Sequence, residues 1–314
     1  MTAATVVSPP AARSLVAGPR ADRDAFDRHD HGRTWHDRGL AVERVDDAGP
    51  DVVGGLHVQL EVAADHLHVR YRLRGEHVDN GVVARLVAAW PDAGPPLDAG
   101  LLGRVVIGIV RTAHPGPATV AWGRFHAATL RRLAAPRPAG GDDVDAFGRI
   151  HQRAIAAVRG RRVLDVGSCL GFLPLLLARS GHEVVASDRD VAACRLVAAV
   201  ADELDTRLSV LGADAVALPL ADAGVDTVTA VHLLEHLDVP TGERVIAELC
   251  RVAARRVVVA VPYEAVPDRR YGHVRAFDDR RLHTLGAGPR AAGWSSHLAH
   301  GDGGWLILDR PGPT

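Results

Sequence analysis

The sequence predicts an α/β fold built around a mostly parallel sheet. Two segments carry this prediction. An apolar strand ends at Asp165 and turns through Gly167 and Gly171 into an apolar helix. A second apolar strand, 183–187, then ends at Asp188. A strand, a glycine turn, a helix and an acidic strand end in this order are typical of the nucleoside-binding crevice of a doubly wound sheet.

The glycine spacing distinguishes two kinds of nucleoside ligand. A dinucleotide fingerprint needs glycines that let the backbone approach a pyrophosphate, but Cys169 and Phe172 occupy the second and third of those positions. The pattern that remains is Asp165-x-Gly167-x-x-x-Gly171. It resembles motif I of the class I S-adenosylmethionine (SAM) methyltransferases, whose usual form is acid-x-Gly-x-Gly-x-Gly. Cys169 departs from that form at the middle glycine.

Later segments follow the order that this resemblance implies. Asp214 follows the third strand, and the strands 225–231 and 256–261 come next. The resemblance implies that Asp188 accepts hydrogen bonds from the two ribose hydroxyls, a role that suits a carboxylate because it offers only acceptors. It also implies that Asp214 bonds to the adenine amino group. SAM is the expected cofactor, and its expected site consists of Asp165, Gly167, Ser168, Cys169, Gly171, Phe172, Asp188, Asp214, Ala215 and His232.

The composition narrows the class of protein. The chain has 314 residues, a formal net charge of −1, and 3 cysteines that are expected to be reduced packing residues. A neutral chain is unlike a dedicated nucleic-acid binder, and no apolar run approaches the roughly 20 residues that span a membrane. We therefore expect a cytoplasmic enzyme that acts on a small molecule or a glycosylated cofactor, with its oligomeric state left open. The chain contains no lysine, which excludes lysine-based catalysis.

The first 50 residues are expected to be partly irregular, because no apolar periodicity persists in them. Histidines and polar residues cluster at 28–31 and 35–36. These clusters could bind a metal, but a solvated polar stretch is the favoured interpretation. Apolar and polar residues then alternate strictly over 56–62 and over 67–73, which predicts two half-buried antiparallel strands with their histidines facing outward.

The hairpin begins a small α+β unit, predicted to comprise residues 51–140. Residues 103–110 are a candidate strand of this unit, and residues 118–133 are predicted to form a helix with an apolar side. The proline- and glycine-rich segment 135–141 separates the unit from the rest of the chain.

A SAM-binding domain is predicted to comprise residues 141–314. Asp142 or Asp143 can cap its first helix. Strands and helices then alternate, as a mostly parallel sheet requires. Residues 294–300 and 305–308, on either side of a glycine-rich turn, predict an antiparallel closing hairpin. The expected architecture is a Rossmann-like class I methyltransferase sheet preceded by the small α+β unit.

Candidate catalytic residues follow the fourth and fifth strands, because ligands of such sheets bind beyond the carboxyl ends of the strands. His232 and His236 follow the fourth strand, and His273 lies beyond the fifth. A hydroxyl acceptor must lose a proton in methyl transfer, and a histidine can accept it. His232 is the first choice because it emerges directly from the strand end; His273 is the second and His236 the third. A packing role is the alternative for His236.

A metal-dependent interpretation of the same residues is the weaker alternative. His232, Glu235, His236 and His273 resemble the Glu-x-x-Glu-His motif and downstream histidine of metal-dependent small-RNA 2′-O-methyltransferases. His232 replaces the first glutamate, and no basic patch accompanies the motif. Imidazole nitrogens and a carboxylate could hold Mg²⁺, Mn²⁺ or Zn²⁺, but we expect chemistry without a metal.

Four segments narrow the resemblance to one subfamily. The segments 168–175, 228–238, 272–278 and 303–306 resemble the mycofactocin oligosaccharide methyltransferases of actinobacteria, and the resemblance covers residues 120–311. It implies O-methylation of a glucose unit in the glycan attached to the redox cofactor mycofactocin. The alternatives are methylation of another hydroxylated metabolite, such as a quinone precursor or a natural-product sugar, and SAM binding without catalysis. Methylation of an RNA 2′-hydroxyl is disfavoured by the neutral charge.

Overall fold

The computed structural model describes residues 32–45, 56–63, 65–73, 78–114, 116–139 and 141–311. This part of the chain forms two compact units. The smaller unit comprises the described residues up to Gly148 together with 269–272, and the larger unit comprises 149–268 and 273–311. The histidine cluster at 28–31 lies outside the described residues.

A four-stranded sheet runs through the smaller unit. Its strands are β1 (Thr34–Asp37), β2 (Leu40–Arg44), β3 (His57–Val62) and β4 (Leu67–Arg72), in the order β1-β2-β4-β3. β3 and β4 pair antiparallel, which confirms the predicted hairpin. The sequence does not predict β1 and β2, because strands of four and five residues are too short to show a clear periodicity. Arg38 and Gly39, both with positive φ, form the tight turn between them.

Three helices complete the smaller unit: α1 (Gly81–Ala89), α2 (Ala99–Ala113) and α3 (Ala118–Ala134). The helix predicted over 118–133 is confirmed. The strand predicted over 103–110 is wrong, because these residues lie inside α2. A short apolar run fits a buried strand and a buried helix equally well, and length and capping decide between them. Here the helix extends over 15 residues, and Asp98 caps it by accepting a hydrogen bond of 2.8 Å from the Leu101 N–H.

A seven-stranded sheet forms the centre of the larger unit. Its strands are β5 (Arg162–Val166), β6 (Glu183–Asp188), β7 (Ser209–Gly212), β8 (Val225–Val231), β9 (Ala253–Val261), β10 (Ser295–His300) and β11 (Gly304–Asp309). The order is β10-β11-β9-β8-β5-β6-β7. β5 to β9 are parallel, and β11 is antiparallel to both of its neighbours. The predicted mostly parallel sheet with an antiparallel closing hairpin is confirmed.

Helices connect these strands. They are α4 (Asp143–Ala157), α5 (Phe172–Arg179), α6 (Val191–Glu203), α7 (Val239–Val252), α8 (Asp279–Leu285) and α9 (Ala287–Ala291), with short 3₁₀ turns at Leu234–His236 and Arg269–Tyr271. Asp142 caps α4, as predicted for one of two aspartates, by accepting hydrogen bonds from the Val144 and Asp145 N–H groups. None of the described helices combines the length and the apolar character needed to cross a membrane.

The core lies on both faces of the larger sheet. In β9, Val257 and Val259 belong to the apolar cluster on one face, whereas Val258 and Ala260 belong to the cluster on the other. Both sides of the strand are buried, which explains why its sequence is a continuous apolar run. Burial of each of these valine side chains contributes about 1.5–3 kcal/mol.

The strand order positions a crevice at β5. The chain passes from β5 to β6 and β7 on one side and then returns to β8 on the other side of β5. This reversal is the topological switch point at which open α/β sheets bind their ligands, beyond the carboxyl ends of the strands. The loops after β5, β6, β7 and β8 therefore form the candidate site.

Candidate active site

The loop between β5 and α5 depends on two glycines. Gly167 and Gly171 both have φ of 77°, a left-handed conformation that residues with a Cβ atom rarely adopt. A Cβ atom would lie 2.9 Å from Leu233 Cδ1 at Gly167 and 2.6 Å from Val197 Cγ2 at Gly171. Cys169 also has a positive φ, 47°, and is exposed. The loop thus keeps the turn of a glycine-rich motif without the middle glycine.

Asp165 lies near the carboxyl end of β5 and is only 3% exposed. Its Oδ1 accepts a hydrogen bond of 2.6 Å from the Thr229 hydroxyl of β8. Burial raises the pKa of Asp165 to about 6; the Thr229 hydrogen bond opposes this rise and the Asp188 carboxylate adds to it. A cationic ligand near Asp165 would favour its ionised form.

Asp188 ends β6 directly beside this loop. Its Oδ2 accepts a hydrogen bond from the Cys169 N–H and its Oδ1 accepts one from the Asp190 N–H, both at 2.9 Å. The Ser168 hydroxyl accepts a further hydrogen bond from the Ser187 N–H at 3.0 Å. These bonds fix the orientation of the Asp188 carboxylate next to the loop, where it could bind a pair of hydroxyl groups.

The turn after β7 continues the same edge of the sheet. The Ala213 N–H donates to the Asp188 carbonyl at 3.0 Å. Asp214 follows with an exposed side chain, and Ala215 is partly buried. Phe172, at the start of α5, is 9% exposed, so its ring packs mostly inward. The structure therefore brings the residues expected to bind the cofactor to one edge of the sheet.

His232 follows β8 and has a left-handed backbone conformation, with φ of 56°. Its N–H donates to the Ala260 carbonyl of β9 at 2.9 Å. Its ring nitrogen Nδ1 lies 3.2 Å from Oε1 of Glu235, a buried carboxylate in the adjacent 3₁₀ turn. Strained backbone at a non-glycine residue concentrates at functional sites, where the surrounding structure holds it in place.

His151 of α4 is a buried titratable residue near His232 for which the sequence predicts no role. It is buried, and burial lowers its pKa to about 3, with a further contribution from the nearby His232. The ring is therefore neutral at physiological pH. Its signal in the sequence is its position, four residues after Phe147 and four before Ile155, which places a polar residue on the apolar side of the helix.

His273 and His236 meet edge to face, with ring centroids 5.0 Å apart. His273 is 7% exposed, and its Nδ1 lies 2.9 Å from Oε2 of Glu264, to which the ring N–H donates. The sequence predicts no role for Glu264. The available signal is its position, three residues beyond the end of β9 at the same edge of the sheet.

Three of the four residues in the metal alternative come together. Among the residues that the structure describes, Glu235, His236 and His273 form a group whose ligand atoms lie within 4.8 Å of one another. His232 is not in this group but contacts Glu235. The cluster has the donor types of a metal site and also offers ring nitrogens for proton transfer.

A comparison with family models identifies the central part of the chain. Residues 164–261 match the family described as a methyltransferase domain. The match extends from β5 to the end of β9 and includes Asp165, Asp188 and His232. The enzyme class expected from the sequence is confirmed: residues 164–261 form a SAM-dependent methyltransferase domain.

Three solved structures are similar to part of the chain. The magnesium protoporphyrin IX methyltransferase of Synechocystis PCC 6803, with bound SAH, is 18% identical over 58% of this chain and 91% of that chain, with a TM-score of 0.42. A SAM-dependent methyltransferase from Aquifex aeolicus is 19% identical over 51% and 87%, with a TM-score of 0.41. The PH0226 protein from Pyrococcus horikoshii OT3 is 16% identical over 57% and 95%, with a TM-score of 0.45. No curated protein sequence matches the chain.

Proposed function

We propose that this chain transfers the methyl group of SAM to a hydroxyl oxygen, and that the acceptor is a glucose unit of the mycofactocin oligosaccharide. The observation that carries O-methyl transfer is the 3.2 Å contact of His232 with the buried Glu235 carboxylate, directly beyond the end of β8. The sequence resemblance over residues 120–311 supports the glycan acceptor.

In the proposed complex, SAM lies across the carboxyl ends of β5, β6 and β7. Asp188 accepts hydrogen bonds from the ribose hydroxyls and Asp214 from the adenine amino group. Asp165 faces the cationic part of the cofactor, which favours its ionised form. The other proposed contacts are Gly167, Ser168, Cys169, Gly171, Phe172, Ala215 and His232.

The proposed chemistry is an in-line displacement at the methyl carbon. The acceptor oxygen bonds to this carbon while the carbon–sulfur bond breaks, and the electron pair of that bond stays on sulfur to give S-adenosylhomocysteine. Close, aligned positioning of the oxygen supplies much of the rate. The hydroxyl proton passes to His232, whose ring is held next to Glu235. His273 and then His236 are the alternative bases.

A cleft beyond β9 has the features expected of a carbohydrate site. It is an open groove of about 570 Å³, lined by Tyr263, Glu264, Asp278, Asp279 and Arg280, among others. The Tyr263 side chain is 38% exposed. An aromatic face combined with carboxylate and guanidinium groups suits a sugar, which has apolar faces and many hydroxyls.

Methyl transfer with deuterated SAM tests this function. The purified protein is incubated with methyl-deuterated SAM and a metabolite extract from actinobacterial cells that lack the gene, and the products are read by mass spectrometry. We expect a heavy methyl group on a glucose-bearing cofactor species. A heavy methyl group on a different compound would overturn the acceptor but not methyl transfer, and the absence of any heavy product would overturn both.

A further inference from the structure

We propose that Glu235, His236 and His273 bind one divalent transition-metal ion. The geometry of these three residues supports the binding. Only the use of the ion, which would position the acceptor hydroxyl, rests on the proposed O-methyl transfer.

The Glu235 carboxylate is buried without hydrogen bonds from the described part of the chain. Its side chain is 0% exposed, and neither of its oxygens accepts a hydrogen bond from any residue that the structure describes. His232 Nδ1 approaches Oε1 at 3.2 Å, outside hydrogen-bond geometry. A fully buried carboxylate that lacks hydrogen bonds is strongly unfavourable unless a cation neutralises it.

Arg275 carries a positive charge near this carboxylate but does not donate a hydrogen bond to it. Arg275 is close enough to interact electrostatically with Glu235. However, its guanidinium lies over the Phe277 ring, 4.2 Å from the centroid, and its Nη1 points to the Asp238 carbonyl at 3.5 Å. A bound cation would supply the direct contact that this arginine does not make.

The backbone holds the three candidate ligands together. The N–H groups of Val274 and Arg275 donate to the Glu235 carbonyl at 2.8 and 3.2 Å, so the residue after His273 is attached to the turn that carries Glu235. Ligand atoms of all three residues lie within 4.8 Å of one another. His236 is exposed and adjacent to Glu235, so its ring can adjust toward a bound ion at little cost.

The donor types select the class of metal. Two imidazole nitrogens and one carboxylate favour Zn²⁺, Mn²⁺, Fe²⁺ or Co²⁺ over Ca²⁺ or Mg²⁺, which prefer oxygen ligands. Three protein ligands leave coordination positions open, as in catalytic rather than structural sites.

Glu264 acts as a positioning residue in this arrangement. Its carboxylate accepts a hydrogen bond from Nδ1–H of His273 at 2.9 Å, so Nε2 is the nitrogen of that ring that would face a metal. Metal-ligating histidines usually donate their other ring N–H to such a carboxylate.

The open positions suggest how the ion would serve methyl transfer. Hydroxyl oxygens are ligands for these cations, so a bound ion can hold the acceptor oxygen in line with the methyl group. His236 and His273 would then be ligands, and His232, which lies outside the three-residue group, would remain the proton acceptor.

Titration with Co²⁺ alone tests the proposal. The untagged full-length chain is stripped with a chelator and titrated with Co²⁺, while visible absorbance and isothermal calorimetry are recorded without SAM or acceptor. We expect one Co²⁺ ion to bind tightly to each chain, with the visible absorbance bands of an ion ligated by nitrogen and oxygen. Glu235→Gln and His236→Ala should each weaken this binding at least tenfold, and Glu264→Gln should weaken it about 10–100-fold.

His297→Ala is the matched control, because His297 is exposed on β10 outside the cluster. It should leave the tight Co²⁺ binding unchanged. His236→Ala changes an exposed side chain, so it keeps the test decisive even where Glu235→Gln fails to fold. Unchanged Co²⁺ affinity in His236→Ala, or an equal loss in His297→Ala, would overturn the metal site. Methyl transfer is measured separately, so failure of metal binding and failure of the proposed function are distinguishable.

Discussion

At the scale of single residues, the site is defined by buried polar groups whose surroundings disfavour their charged forms. Burial raises the pKa of Asp165 to about 6 and lowers that of His151 to about 3. Groups with such perturbed pKa values concentrate at functional sites. Asp165 lies at the edge where SAM and the acceptor are proposed to meet, and His151 interacts electrostatically with His232.

SAM binding should depend on pH through Asp165. Its pKa of about 6 means that the carboxyl is protonated in the free protein below that pH, whereas the cationic cofactor favours the ionised form. Binding then releases a proton, and the affinity for SAM should fall about tenfold between pH 7 and pH 5. Calorimetric titration at a series of pH values measures this.

Asp165→Asn provides the control for that dependence. The variant should bind SAM more weakly at pH 7 and with little change down to pH 5, because the titrating group is gone. A wild-type affinity that stays constant over this range would contradict the proposed position of the cofactor charge.

His232→Ala should slow methyl transfer about 100-fold or more, in the range of a lost general base. SAM affinity should stay within a few-fold, because the ribose and adenine contacts remain. Single-turnover rates and SAM binding are measured on the same preparation. His283→Ala, at an exposed position on α8, is the control and should leave both quantities unchanged. A normal rate in the His232 variant would remove this residue from the mechanism.

At the scale of elements, the close packing of Gly171 in the loop after β5 can be tested by comparison with Gly181, which follows α5 and has a similar backbone conformation. Gly171 and Gly181 both have positive φ, 77° and 90°. A Cβ atom at Gly171 would contact Val197, whereas one at Gly181 meets nothing within 4 Å. Gly181→Ala should therefore cost about 1 kcal/mol of unfolding free energy from backbone strain, and Gly171→Ala a further ~1–3 kcal/mol from overpacking. Urea denaturation measures both, and equal losses would contradict the close contact.

The helix α2 offers a second matched pair. A Cβ atom at Gly108 would lie 2.5 Å from Val42, but one at Gly103 meets nothing within 4 Å. Gly103→Ala should stabilise the protein by up to about 1 kcal/mol, because alanine favours a helix over glycine. Gly108→Ala should destabilise it by ~1–3 kcal/mol. If both variants lost stability in urea denaturation, the helical assignment of this segment would be in doubt.

Some elements were predictable from the sequence because their signals are local. The alternation of apolar and polar residues was sufficient to predict β3 and β4. The acidic strand ends at Asp165 and Asp188 were sufficient to predict β5 and β6. The segment 103–110 was not, since a buried apolar run carries no periodicity that separates strand from helix. His151 and the contact of Glu264 with His273 depend on tertiary packing, so spacing alone could not reveal them.

At the scale of the whole molecule, ligand binding and stability are linked. SAM binds the folded protein, so a concentration of 100 times its Kd should stabilise the protein by about 2.7 kcal/mol. Asp188→Ala should abolish this increase because the proposed ribose acceptor is lost, while the sheet retains its pairing. Thermal unfolding with and without SAM measures the effect. A full SAM-dependent rise in Tm in this variant would contradict the assignment of Asp188.

The sheet topology was predictable at this scale, but the division into units was not. The order of strands and helices from β5 onward specifies a doubly wound sheet, because crossover connections follow common rules. By contrast, residues 269–272 belong to the smaller unit although most of that unit precedes Arg149. No local pattern signals such a long-range association.

The position of β11 has a consequence for the order in which the sheet assembles. Among the described strands, β10 pairs only with β11, which follows it in the chain and inserts between β9 and β10. β10 therefore joins the sheet only together with β11, and the edge of β9 stays without a partner until residues 304–309 pair with it. An unpaired strand edge is a template for pairing with another chain, so a partly folded molecule that lacks β11 exposes an edge prone to aggregation.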